Sequence, residues 1–207
     1  ERSISLGLEF TRQGKDSLDR GLTVLFGVDP NGYATGFLVK ENLVITAYHV
    51  VSGELSDSKK MNLKFNRDDK LNVRIYVNGC RATVLKVDKE ADLALLEICG
   101  STKNAPALVF QSDLVKDENL LLVARPRGNK LVSKGVFHGS YPFRGMEYWS
   151  AKITSRDGYS GSPVYNNKAE LVGVFTGYDQ IQEVALISPA SRAQKLLEDY
   201  LATTTKP

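Results

Sequence analysis

Short apolar runs broken by turn residues recur along the whole chain, and no other feature narrows the possible folds as much. Strand-like segments lie at Leu22–Val28, Gly36–Lys40, Leu43–Thr46, Lys60–Phe65, Val73–Val77, Ala82–Val87 and Leu93–Ile98. A second series lies at Leu120–Ala124, Val132–His138, Glu147–Ile153, Val164–Tyr165, Leu171–Thr176 and Glu183–Ile187. Asp29-Pro30-Asn31-Gly32, Asn78-Gly79 and Asn166-Asn167 punctuate them with residues that suit tight turns. Many short strands with few helices predict an all-β sandwich or barrel. One helix is expected over Pro189–Leu201, where Ala193, Leu196, Leu197 and Tyr200 repeat at helical spacing and Pro189 suits the start. Its apolar stripe should dock on the body of the protein.

The 207 residues are 42% hydrophobic and 25% charged, enough to bury a sizeable core and too apolar for a disordered segment. The net charge is only +3 and the basic residues are spread out, so no nucleic-acid partner is implied. No run of about 18 apolar residues marks a membrane span. Glu1-Arg2-Ser3-Ile4-Ser5 lacks the basic-then-apolar character of a secretory signal, so any signal or anchor would lie outside this sequence. No cluster of His, Cys or carboxylates has metal-ligand spacing, and no metal or cofactor is expected.

Three segments carry groups for nucleophilic chemistry: Thr46-Ala47-Tyr48-His49-Val50, Ala91-Asp92-Leu93-Ala94-Leu95-Leu96 and Gly158-Tyr159-Ser160-Gly161-Ser162-Pro163. A serine hydroxyl is a poor nucleophile near neutral pH. It needs an imidazole to take its proton and a carboxylate to hold that imidazole in the right tautomer. His49 stands where an apolar strand ends. Asp92 opens an apolar strand, where a charge is costly unless hydrogen-bonded. Asp88 and Glu90 compete for that role but sit in a polar turn and read as solvated. Ser160 lies between glycines that let the backbone expose its hydroxyl; alone, the stretch would read as a tight hairpin loop. His138, in Val136-Phe137-His138-Gly139, has no comparable context and reads as a strand or groove residue.

The chain order His49, Asp92, Ser160, together with Thr46-Ala47-x-His49, Asp92-Leu93-Ala94-Leu95 and Gly158-x-Ser160-Gly161-x-Pro163, resembles the chymotrypsin-like (trypsin-fold) serine proteases. That resemblance implies two six-stranded antiparallel β-barrels with the C-terminal helix appended. The expected boundaries are an arm over residues 1–20, a first barrel over 21–110, a linker over 111–119, a second barrel over 120–188, and helix and tail over 189–207. Val51–Lys60 reads as a surface insertion. The resemblance also implies an oxyanion hole from the Gly158 and Ser160 amides, and a second hydrogen bond to Asp92 from the Thr176 hydroxyl. The substrate pocket would be walled by Thr154-Ser155-Arg156-Asp157 and by Thr176-Gly177-Tyr178, the latter pairing with substrate as an added strand.

Several departures bear on the finer assignment. Tyr159 precedes the serine where zymogen-activated members carry aspartate, and Glu1 replaces an apolar N-terminal amine, so activation by a new N-terminus is not expected. Ser162 in place of a second glycine is similar to the 3C-like serine proteases of positive-strand RNA viruses. Viral polyprotein processing is therefore the leading expectation, with a polypeptide, including its own polyprotein, as substrate. The alternatives are a cellular HtrA-like or regulatory protease and a weakly active binding module. Phe175 occupies the place of a histidine in relatives that cut after Glu or Gln, which points to a hydrophobic or small polar residue before the cut; Arg156 leaves an acidic one open. Secreted members usually carry several disulfides, whereas this chain has only Cys80 and Cys99. Free thiols and a cytoplasmic location are expected, with a single Cys80–Cys99 bridge left open.

Overall fold

A computed structural model describes residues 2–26, 32–100 and 107–205. In the N-terminal half, β1 (Ser3–Arg12), β2 (Gly32–Lys40), β3 (Leu43–Ala47), β4 (Leu71–Val77), β5 (Cys80–Arg81), β6 (Thr83–Asp88) and β7 (Leu93–Glu97) form a seven-stranded sheet ordered β5-β4-β1-β2-β3-β7-β6. In the C-terminal half, β8 (Asn119–Ala124), β9 (Leu131–Phe143), β10 (Met146–Lys152), β11 (Pro163–Tyr165), β12 (Leu171–Asp179) and β13 (Val184–Pro189) close into a barrel ordered β10-β13-β12-β11-β8-β9. The helices are α1 (Asp16–Phe26), α2 (Tyr48–Val51), α3 (Asp57–Asn62) and α4 (Ala190–Thr204), with a 3-10 turn at Pro126–Gly128. This is the all-β, chymotrypsin-type pair of barrels expected, with the first a half-barrel sheet of seven strands instead of six.

The N-terminal segment corrects the expectation of an arm. Ile4, Leu6, Leu8 and Phe10 alternate with small or polar residues, the period of a half-buried strand. β1 accordingly pairs with β2 on one side and β4 on the other, and Leu6, Leu8 and Phe10 are buried in the sheet's core. Leu22–Phe26, expected as strand, belongs to α1. Asp16 and Asp19 lie in the first turn of that helix, where its dipole favours negative charge. Residues 27–31, with the expected Asp29-Pro30-Asn31 turn, lie outside the described residues. Lys60–Phe65 is not a strand either: it contains the end of α3, whose cap Ser56 accepts the Lys59 N–H.

Residues 101–106, near the end of the expected first barrel, lie outside the described residues. The stretch 107–118 is irregular and is tied to the second barrel through Leu171, which donates to the Val109 carbonyl and accepts from the Gln111 N–H. Pro189 caps α4, which runs three residues past Leu201. Its stripe docks as expected: Ala193, Leu196 and Leu197 join one buried cluster with Phe37, Ile45 and Leu93 of the first half and Leu171 and Val174 of the second. The halves are therefore bonded by a common apolar seam.

Cys80 and Cys99 form a disulfide, against the expectation of free thiols. Cys80 on β5 and Cys99, two residues past the end of β7, have Cα atoms 6.2 Å apart, inside the span a disulfide bridges.

Candidate active site

His49 enters the seam because β3 is completely buried and ends at Ala47, and the chain turns at once into the one-turn helix α2. Asp92 stands in the tight connection between β6 and β7, where its backbone is held at both ends. Its N–H donates to the Lys89 carbonyl and its carbonyl accepts the Tyr48 N–H. The carboxylate faces His49 twice: Oδ1 accepts the His49 backbone N–H at 2.8 Å, and Oδ2 lies 2.7 Å from Nδ1. His49 Nε2 lies 2.9 Å from Ser160 Oγ. Three side chains from distant parts of the sequence thus form one hydrogen-bonded line.

Ser160 sits on a turn that the second barrel holds from below. The Gly161 N–H donates to the Phe175 carbonyl and the Phe175 N–H to the Ser162 carbonyl, both at 2.9 Å. Ser162, fully buried, returns its hydroxyl to the Tyr159 carbonyl at 2.5 Å, and the buried Tyr159 ring anchors the turn among Leu122, Val164 and Phe175. Gly158 and Gly161 have φ of +86° and +87°, a left-handed conformation that favours glycine. A Cβ on Gly158 would meet Pro126, and one on Gly161 would run into the Thr35 carbonyl and the Thr46 hydroxyl. The Gly158 and Ser160 amides meet no acceptor among the described residues and are free to donate.

The site opens into a cleft of 940 Å³ that runs between the halves past His49 and Ser160. Thr154, Ser155, Phe175, Gly177 and Tyr178 line it, together with Arg156 and Asp157. Thr176 does not. The register between β12 and β13 shifts between Phe175 and Gly177, so Thr176 is bulged out of the pairing. Its hydroxyl turns to the Leu186 carbonyl at 3.4 Å instead of to Asp92. The expected surface insertion Val51–Lys60 contributes Leu55 and Lys59 to the cleft wall, and Asn62 and Leu63 just beyond it line the cleft as well. Asp88 and Glu90 are not simply solvated: Arg192 of α4 grips Asp88 through two nitrogens at 2.8–3.0 Å and reaches Glu90 at 3.1 Å. His138 is exposed on β9, apart from the cleft lining.

Two barrels meeting over a His–Asp–Ser line define the class of chymotrypsin-type serine peptidases. The chain belongs to the trypsin-like peptidase domain family, whose model matches residues 34–174. Among curated proteins it is similar to a glutamyl endopeptidase of Staphylococcus epidermidis, 25% identical over 153 residues covering 69% of this chain. The chain spans about half the length of that relative, 53%. Among solved structures it is similar to the active form of the Rv3671c protease of M. tuberculosis, with a TM-score of 0.64 and 18% identity over 94% of this chain and 79% of that one. The inactive form of a mutant of the same protein matches with a TM-score of 0.61 and 18% identity over 99% and 88%. These likenesses extend the two-barrel fold over almost the whole chain. Among the described residues no helix is long and apolar enough to cross a membrane, and no group of three or more metal-binding side chains gathers.

Proposed function

We propose that the protein is a serine endopeptidase in which Ser160 is the nucleophile, His49 the base and then the acid, and Asp92 the group that holds His49 in its working tautomer. The line Asp92 Oδ2, His49 Nδ1, His49 Nε2, Ser160 Oγ, closed by contacts of 2.7 and 2.9 Å, carries this reading. Ser160 Oγ adds to the scissile carbonyl as its proton passes to Nε2, and the imidazolium is held against the Asp92 carboxylate. The Gly158 and Ser160 amides receive the carbonyl oxygen as it gains charge, a contribution of about 3 kcal/mol per donor. Nε2 then returns the proton to the leaving amine, and water repeats the sequence on the acyl-enzyme. Every step uses side chains and amides of this chain.

For the residue before the cut, the buried Phe175 at the cleft wall supports a hydrophobic or small polar side chain. A second reading draws on Arg156, an exposed cleft residue with no carboxylate partner among the described residues, and on a relative named for glutamyl cleavage. Processing of a viral polyprotein is supported only by Ser162 in the serine segment, whereas the bacterial relatives support the cellular protease. The Cys80–Cys99 bridge supports an oxidising compartment over the cytoplasm. A fluorophosphonate probe is expected to label Ser160, and Ser160→Ala to abolish both labelling and peptide cleavage while keeping the melting temperature. Undiminished turnover by that variant sinks the proposal, and a peptide library cleaved by the wild type reads the residue before the cut.

A further inference from the structure

The turn that carries Ser160 belongs to the second barrel, yet the residue holding its outer side comes from the first. Thr35, on β2, is fully buried and uses every polar position it has. Its N–H donates to the Ser160 carbonyl at 3.0 Å and its hydroxyl donates to the Gly158 carbonyl at 2.9 Å. The same hydroxyl accepts the Arg125 N–H at 3.0 Å, and the Thr35 carbonyl accepts the Thr46 hydroxyl at 2.8 Å. Three of these four bonds cross the seam between the halves.

The pattern is selective. Within residues 158–162 only the Gly158 and Ser160 amides remain free to donate, and the carbonyls of the same two residues are the ones Thr35 ties back. A turn with two left-handed glycines has a soft backbone, so its peptide planes need outside support to keep one orientation. Each carbonyl shares its plane with the next N–H, Gly158 with Tyr159 and Ser160 with Gly161, and those N–H groups donate to the Arg156 and Phe175 carbonyls. Thr35 therefore fixes the peptides that follow Gly158 and Ser160, and by holding their Cα positions it limits how far the two free amides can swing. The hydroxyl's own direction is determined as well. It has one proton to give, and because the Arg125 amide occupies one lone pair, that proton is steered to the Gly158 carbonyl.

We propose that Thr35 is the positioning residue of the oxyanion-binding turn, its hydroxyl keeping the Gly158 amide aimed at the reacting carbonyl and making that aim depend on docking of the two halves. The inference rests on the endopeptidase reading above and adds a residue to it. Preorganised donors act mainly on the transition state, so losing their alignment should lower kcat more than it raises KM.

Thr35→Val keeps the shape but removes the hydroxyl and with it the bonds to the Gly158 carbonyl and the Arg125 N–H; Thr35→Ser keeps the hydroxyl. The valine variant should lose about 100-fold in kcat with KM nearly unchanged, on the scale of one lost oxyanion donor. Its affinity for a peptide trifluoromethyl ketone, which places a charged oxygen where the amides point, should fall by the same factor. The serine variant should recover most of both. Ser150→Ala is the stability control: it deletes another buried hydroxyl, which donates to the Gly139 carbonyl at 3.0 Å in β10, and should lower the melting temperature without touching kcat. Full kcat in a folded Thr35→Val, or equal impairment of Thr35→Ser and Thr35→Val, overturns the proposal. So does failure of both Thr35→Val and Thr35→Ala to fold while Thr35→Ser folds, because the hydroxyl is then structural. A wild-type protein that neither cleaves peptides nor takes the fluorophosphonate label would instead defeat the endopeptidase reading, which keeps the two failures apart.

Discussion

Asp92 adopts φ of +55°, a region L-residues avoid but aspartate visits more readily than most. The twist lets its carbonyl take the Tyr48 N–H while both carboxylate oxygens turn to His49. Asp92→Asn separates those functions. The amide oxygen can still accept the His49 backbone N–H, but the NH₂ group then faces Nδ1 and selects the wrong tautomer. We expect kcat to fall by about 10⁴-fold, with little change in melting temperature; a kinetic assay beside a thermal melt checks both. Gly161 poses the opposite problem, since its site cannot hold a side chain. Gly161→Ala combines a strained φ with overlap against Thr35 and Thr46, and should destabilise the protein by roughly 2–4 kcal/mol in urea titration.

Among the elements, α4 reaches across the seam to the first half. Arg192 holds Asp88 and Glu90, and the Tyr148 hydroxyl of β10 donates to the Glu90 carbonyl at 2.5 Å, so the second half braces the connection that ends at Asp92. Removing the guanidinium in Arg192→Ala should cost about 1–2 kcal/mol, a value reduced for partial exposure of the pair. A drop in kcat should accompany it as the connection loosens; denaturant titration and steady-state kinetics measure the two together. The join of β1 and α1 is held by acid groups. The Arg12 side chain donates to Asp19 and keeps that carboxyl below its ordinary range, and the Thr11 hydroxyl does the same for Asp16. A carboxylate lowered in this way stabilises the fold above its unfolded-state value, near pH 4, and the benefit is lost as pH falls through the folded-state value. Asp19→Asn should therefore lower stability at neutral pH and flatten its acid decline, which melts taken between pH 7 and pH 3 will reveal.

Across the molecule, the disulfide and the seam do different work. Cys80 and Cys99 are 19 residues apart, a loop whose closure is worth about 3 kcal/mol. Reduction, or Cys80→Ser with Cys99→Ser, should lower the melting temperature while leaving kcat intact in the protein that remains folded, since neither cysteine lines the cleft. The seam, in contrast, ties the proposed triad to folding, because His49 and Asp92 stand on one side and Ser160 on the other. Any change that separates the halves removes the 2.9 Å contact before it melts either sheet.

Strand after strand was legible because each alternation or apolar run is a local property, and the three chemical groups were legible because their motifs are contiguous in the chain. Even β1 carries its period openly in Ile4, Leu6, Leu8 and Phe10; its place between β2 and β4 does not follow from that period. The side chain of Thr176 could not be assigned from its motif either, since a one-residue bulge against β13 redirects its hydroxyl. Thr35, Arg192 and the Cys80–Cys99 pair likewise have no local signature. Their partners lie 123, 104 and 19 residues away. Local patterning thus settles which segments become strands and which groups can do chemistry. Hydrogen-bond partners, register shifts and the approach of the two halves arise only when the apolar faces have packed, because burial is what forces each polar atom to find its mate.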